Sequence, residues 1–140
     1  MLRLPPLFAL ASALVATNSV TLAGDLTAGQ TLFKVCAVCH DIGEKAENRV
    51  GPILNGLDGR PAGTVPGYPY SPAMRYSDII WGKAVFKEYL KAPRAMIPGS
   101  KMAFTGLLDE QGLDDIWSFV SQYGPDGKIK ARVEPASEGE

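Results

Sequence analysis

Both cysteines and the only histidine of this 140-residue chain fall inside one pentapeptide, Cys36-Ala37-Val38-Cys39-His40. Two thiols three positions apart can form thioethers to the two vinyl groups of one porphyrin, and the adjacent imidazole is then carried over the iron as its proximal ligand. This is the spacing of covalent c-type haem attachment. One short segment would fix both ring and metal, and the rest of the chain must fold around them. Two other uses of C-x-x-C fit less well. A structural zinc wants four Cys or His ligands, and three such residues inside one pentapeptide cannot close a tetrahedron. A dithiol redox pair is expected beside a βαβ unit, and this sequence shows no such pattern.

Haem is ligated to such a motif outside the cytoplasm, so the chain is expected to carry an export signal. Arg3 supplies a positive start, Leu7 to Ala16 form a short apolar run, and Thr21-Leu22-Ala23 ends in a small residue before Gly24. Residues 1–23 therefore read as a secretory signal cut after Ala23, leaving a periplasmic protein with no stable membrane insertion. A retained anchor would need about 20 apolar residues, whereas Pro5-Pro6 and Thr17-Asn18-Ser19 bracket this run. What remains reads as one domain, 24–125, followed by a polar extension over 126–140. Lys128, Lys130 and Arg132 precede an acidic end, Glu134 to Glu140, and this tail is expected to be solvated or disordered. The whole chain has 14 Lys and Arg against 15 Asp and Glu. Loss of Arg3 with the signal makes it more acidic still, which argues against nucleic acid as a partner.

With 15 glycines and 11 prolines, the domain is expected to be rich in loops and turns. Between Thr27 and Val35, Ala28, Leu32 and Val35 share one side, with Gly29 and Phe33 four apart, which predicts a helix leading into the pentapeptide. From Asp109 as N-cap, Leu113, Ile116, Trp117 and Val120 recur at helical spacing until Gly124-Pro125 stops the run. A third helix is expected from about Gly82 to Lys91, carrying Val85, Phe86, Tyr89 and Leu90, with Pro93 ending it. Ser71-Pro72 could cap a brief fourth. No segment alternates with period two, so the expected fold class is all-α, small and wrapped around one covalently bound haem.

The donor for the iron's other face follows by elimination. Without a second histidine or a third cysteine, the natural soft donor is a methionine thioether. Met1 leaves with the signal. Met74 falls in a segment that reads as helical, while Met96 and Met102 flank Ile97-Pro98-Gly99-Ser100-Lys101. Pro98 and Gly99 stiffen and turn that loop, so Met102 can approach the face opposite His40 without disrupting a helix. Core filling is the expected use of Met74 and Met96. Lys101 is the alternative donor, but it would have to bind as the neutral amine, which neutral pH disfavours.

Gly29 and Phe33, the pentapeptide at 36–40, Gly51 to Gly56, Gly59-Arg60, Pro66 to Ser71, Trp81, Tyr89-Leu90, Ile97 to Met102 and Phe104 stand in a specific order and spacing. In that order the chain, from about Gly24 to Tyr123, resembles a class I cytochrome c of the mitochondrial cytochrome c and short bacterial cytochrome c2 type. The resemblance implies that the Pro52 carbonyl accepts the imidazole N–H of His40, which fixes the tautomer and raises ligand basicity. It implies that Arg60, Tyr70, Ser71, Trp81 and Ser100 hydrogen-bond the haem propionates, since buried carboxylates need donors to stay charged. It places Tyr89 and Phe104 near the methionine ligand and the haem, and sets Gly29 and Phe33 against Ile116 and Phe119.

The function so implied is one-electron transfer rather than catalysis. One haem c, attached through Cys36 and Cys39 and ligated by His40 and Met102, has both axial positions filled, so the metal can change charge but cannot readily take a substrate. The expected role is a soluble, monomeric shuttle from a cytochrome bc1-type complex or dehydrogenase to an oxidase or a photosynthetic reaction centre. Respiratory and photosynthetic duties stay open. A neutral thioether in an apolar pocket disfavours the extra charge of the oxidised metal, so a positive potential is expected. The chain departs from the family at the exposed haem edge. Where lysines commonly ring that edge, Val35 precedes the first cysteine and Leu108-Asp109 follow the methionine loop, leaving Arg49, Arg94 and Lys101 as basic candidates. Two readings from other classes remain. A haem enzyme or sensor with an open sixth position would be high-spin and bind ligands fast; a protein with Cys36 and Cys39 merely disulfide-bonded would show no Soret band.

Overall fold

The computed structural model describes residues 24–106 and 109–131. The expected signal over 1–23, Leu107, Leu108 and the end of the tail from Arg132 lie outside the described residues. Five helices follow one another: α1, Leu26–Cys36; α2, Pro72–Arg75; α3, Lys83–Lys91; α4, Pro93–Met96; and α5, Glu110–Ser121. Among the described residues the only β pairings are the isolated bridges Pro61–Ile80 and Tyr123–Ile129, so the fold is all-α.

Local sequence chemistry sets most of these boundaries. The first N–H groups of a helix lack intrahelical partners, and short polar side chains supply them. Asp25 accepts from Thr27 N and Ala28 N, and Asp109 accepts from Gln111 N and Gly112 N. Ser71 accepts from Met74 N, with Pro72 opening α2. Pro93 does more than end α3. Having no N–H to leave unpaired, it opens a new turn, α4, so Met96 closes a short helix rather than standing in the loop before Met102.

α1 packs across α5, and glycine permits the approach. A Cβ on Gly29 would overlap the Asp115 carbonyl and stand 2.8 Å from the Cβ of Phe119. Phe33 and Phe119 then meet with ring centroids 5.2 Å apart. Ile116 belongs to the same buried cluster as Phe33 and Phe119. Asp115 also fastens the start of α1, accepting from Asp25 N and from Gln111 Nε2, both at 2.8 Å.

Residues 126–131, expected beyond the body of the domain, fold back onto it together with Gly124 and Pro125. Gly124 N donates to Lys128 O at 2.8 Å and Lys130 N to Gln122 O at 2.8 Å. Gly124 and Gly127 are buried. The folded chain therefore runs past residue 125.

α3 lies beside α5, with Phe86 and Trp117 packed at 5.1 Å between ring centroids. Lysines four residues apart share a face, and on α3 that face meets acids of α5. Lys83 and Lys87 reach Asp114 at 3.0 and 2.8 Å, and Lys87 and Lys91 reach Glu110 at 3.0 and 2.6 Å. The hydrogen bonds from Lys87 and then Lys83 hold the Asp114 carboxyl below its ordinary range, and bonds to Asp114 and Glu110 hold Lys87 above its own. A depressed carboxylate stabilises the fold above its unfolded pKa of about 3.9 and stops doing so as pH falls through the lower folded value. A raised lysine stabilises below about 10.4 and stops as pH rises through the higher folded value. In urea titrations, Asp114→Asn is expected to lower the midpoint at pH 7, and the difference from the native chain is expected to vanish below about pH 3.

Candidate functional site

The pentapeptide continues the last turn of α1. Ala37 N donates to Phe33 O at 2.8 Å, and Cys39 N and His40 N both donate to Cys36 O, at 3.0 and 2.9 Å. This tight turn brings Cys36, Cys39 and His40 together on the wall of one cavity of about 470 Å³. The two cysteines form no disulfide with each other.

His40 is held by the segment at Gly51 and Pro52. Its Nδ1 lies 2.7 Å from the Pro52 carbonyl. A carbonyl can only accept, so Nδ1 carries the proton and Nε2 keeps its lone pair. Burial moves the imidazole pKa below its ordinary value, the Pro52 bond opposes that, and the charge of Arg60 adds to it. A neutral imidazole with one committed nitrogen is a ready metal ligand. Gly51 makes the approach possible. A Cβ at that position would fall 2.6 Å from Nδ1 and 2.7 Å from Nε2.

Other elements line the remaining walls. α2 contributes Met74, α3 contributes Phe86, Tyr89 and Leu90, and α5 contributes Ile116 and Val120. The segment after α4 brings Lys101, Met102, Ala103 and Phe104 to the same space. Met102 is thus placed on the wall, as is Met74, whose core-filling expectation takes no account of the cavity it faces. Met96 is not on that wall. Lys101 Nζ donates to Pro69 O, so its amine is already engaged.

The polar residues expected at the propionates divide. Arg60, Tyr70, Ser71 and Trp81 line the cavity, while Ser100 is buried behind it with an Oγ that makes no hydrogen bond among the described residues. Tyr89 OH is buried in the same way, and the Ser100 hydroxyl is close enough to act on it. Arg60 is half-buried, donates one Nη1 bond to Asn55 O at 2.7 Å, and forms no ion pair among the described residues. Burial lowers its pKa, yet an arginine stays protonated. The Ser71 oxygen accepts from Met74 N at 3.2 Å, which leaves its O–H to donate. Two residues had no role assigned from sequence. Tyr68 also lines the cavity, tied by its hydroxyl to Val50 O at 2.7 Å. Asn55, 8% exposed, bonds Gly43 through both atoms of its amide; the pair Asn55-Gly56 resembles an ordinary turn, which hid it.

These features fit a porphyrin. The volume is in the usual range for a small-molecule pocket, about 300–1,000 Å³, and its lining is aromatic and aliphatic. One imidazole lone pair is available, two thiols stand beside it, and an acid-less guanidinium waits for carboxylates. No three His, Cys, Asp or Glu side chains converge to hold a metal ion among the described residues, so zinc has no ligand set.

Known proteins agree with the geometry. The sequence profile of the family described as Cytochrome c matches residues 26–123. Cytochrome c-550 of Nitrobacter winogradskyi is 53% identical over 78% of this chain and all of its own. Cytochrome c2 of Rhodoplanes tepidamans is 53% identical over 76% of this chain and 99% of its own. Among solved structures, cytochrome cH from Methylobacterium extorquens superposes with a TM-score of 0.65 at 38% identity, covering 69% of this chain and 97% of that one.

The crowding at Gly51 generates a test. Gly51→Ala is expected to turn the imidazole or push Pro52 away, with a cost of about 1–3 kcal/mol typical of overpacking. The visible spectrum of the purified variant should show a high-spin fraction absent from the native protein.

Proposed function

The chain belongs to the cytochrome c family and is an electron carrier with covalent haem c on Cys36 and Cys39, and on that premise we propose that His40 and Met102 are its axial ligands. Bound haem supplies a centre that gains and loses one electron. Everything else the site does comes from the chain. Pro52 and Gly51 lock His40 so that Nε2 points its lone pair to the cavity, and Met102 offers a neutral thioether from the loop after α4. The observation that carries the reading is the commitment of the sole histidine. Its Nδ1–H is held by Pro52, and no second imidazole exists to act as a general base.

Arg60, Tyr70, Ser71 and Trp81 are proposed to receive the propionates, with the Ser100 hydroxyl behind them. The apolar walls and the thioether together favour the less charged metal, which raises the potential. The reading extends to a periplasmic, monomeric shuttle between a bc1-type donor or dehydrogenase and an oxidase or reaction centre. In its support, no helix among the described residues is long and apolar enough to cross a membrane.

The spectrum tests the ligation. The oxidised protein is expected to be low-spin with the weak near-infrared band of methionine-to-metal charge transfer, and Met102→Ala should abolish that band. A high-spin native spectrum would move the function to catalysis or ligand sensing, and persistence of the band in the variant would move the ligand to Met74.

The cavity mouth sets how partners meet it. Val35, Val38 and Val50 are 62%, 70% and 75% exposed there. Arg49 Nη1 donates to Ala37 O at 3.2 Å, and the three lysines of α3 are engaged with acids of the same molecule. Of the lysines and arginines only Arg60 and Lys101 line the cavity itself, so little charge at its mouth is placed to steer an encounter, and steering is what salt suppresses. The second-order rate with an isolated acceptor should therefore fall less than about threefold between low and physiological salt, far less than strong charge steering would give. A drop of tenfold or more in stopped-flow mixing would assign the rim a dominant electrostatic role.

A further inference from the structure

The family match ends at Tyr123, yet the chain beyond it is built against the haem-bearing loop. The turn at 124–130 closes on itself through Gly127 N to Gly124 O at 2.9 Å and Lys128 N to the Asp126 carboxylate at 3.0 Å. Its inner side touches two points. Pro125 lies so near Gly56 that a Cβ there would stand 2.9 Å from the Pro125 Cα, and a Cβ on Gly127 would overlap the Gly43 carbonyl. Gly127 has φ of 77°, which L side chains resist. Lys128 adds only a 3.9 Å approach to Glu44 between exposed side chains.

Gly43 and Gly56 are not arbitrary points. Gly43 ends the arm that begins at His40, and Gly56 ends the arm that begins at Pro52. The two arms are cross-linked by Asn55, whose Oδ1 accepts from Gly43 N at 2.8 Å and whose Nδ2 donates to Gly43 O at 2.9 Å. Leu54 N donates to Asp41 O at 3.0 Å, and Gly56 N donates to Tyr123 O at 3.1 Å. At the far end of this ladder stands the 2.7 Å contact of His40 Nδ1 with Pro52 O.

We propose that residues 124–130 are a positioning brace for the proximal ligand. Pressed against Gly43 and Gly56, the turn holds the two arms in the register that makes the His40–Pro52 hydrogen bond. Through that bond it sets how strongly the imidazole donates to the metal. Slack arms would lengthen the bond, make the imidazole a weaker donor, stabilise the oxidised metal less and raise the potential. The proposal deepens the function above and rests on His40 being the ligand.

The test uses the full-length holoprotein and three variants. Gly127→Val forces a side chain into the contact, and truncation after Tyr123 removes the turn while leaving the carbonyl that Gly56 uses. Gly63→Val is the control, strained in the same way with φ of 75° and a Cβ 2.7 Å from the Arg75 Cα, but against α2. The readouts are exchange of the His40 Nδ1–H with solvent, followed by NMR, and the midpoint potential. Both tail variants should speed that exchange by about tenfold, the factor that loss of a hydrogen bond near the upper end of its usual net worth allows, and raise the potential. Gly63→Val should leave the exchange at its native value, while its potential is free to move because it presses on α2, which carries Met74 and is capped by Ser71. Native exchange in the tail variants, or an equal change of exchange in Gly63→Val, overturns the brace. So does failure of both tail variants to fold while Gly63→Val folds, because the turn would then be part of the global core. A native protein without a low-spin spectrum would instead overturn the ligation itself, so the two failures are distinct.

Discussion

Apolar surface facing a shared central space is the term on which this molecule depends. Trp81, Phe86, Tyr89, Leu90, Ile116 and Val120 all belong to the buried cluster, and all also line the cavity. In a larger domain such side chains would interlock across helix interfaces. Here five short helices and many turns leave too little secondary structure for that, and small domains bury proportionally less surface to begin with. Each Å² of apolar surface withdrawn from water contributes about 25 cal/mol, so a flat ring covered on both faces would supply much of the core. The buried hydroxyls of Tyr89 and Ser100, which neighbour each other, belong to the same picture. They are tolerable where the filled site brings partners to them, and costly where it does not.

Much of this was legible in the sequence because its causes are local. Ser71 and Asp109 sit where side-chain oxygens must cap helices, and the pentapeptide dictates its own chemistry, whereas the apolar spacing that starts at Thr27 gives no sign that Asp25 caps α1. Pro52 could be paired with His40 only through resemblance, since nothing in the spacing of residues 40 and 52 states that a carbonyl returns to that ring. What escaped was tertiary. Pro93 reads as a stop, and only the packing of Pro93 and Ile97 shows that it is also a start. Met74 reads as filler because a thioether on a short helix looks the same whether it faces side chains or a cavity. The segment from 126 reads as solvated because its composition is polar. It is held by backbone bonds and by the absence of side chains on Gly56 and Gly127, which no hydropathy pattern records.

Charge in this protein is spent inward. The α3 lysines, which on sequence could have served any surface, are consumed by Asp114 and Glu110 and so join α3 to α5. The same arrangement keeps the wall that carries Phe86, Tyr89 and Leu90 against the wall that carries Ile116 and Val120. The cavity mouth is left to valines. Exposed ion pairs contribute little singly, about 0–1 kcal/mol each, but a ladder shared between two helices also fixes their register, and register is what shapes the cavity.

The pentapeptide has a consequence of a different kind. Its thioether sites and its imidazole lie within five consecutive residues, so a fluctuation that opens α1 from α5, or lifts the loop of Met102, does not release the ring. Recapture is then a first-order event within one molecule, at an effective concentration of the order of millimolar for such a short connection. Dilution cannot oppose it. A carrier built this way cannot trade its ring with a neighbour or lose it to a scavenger, however sparse the pool in which it moves.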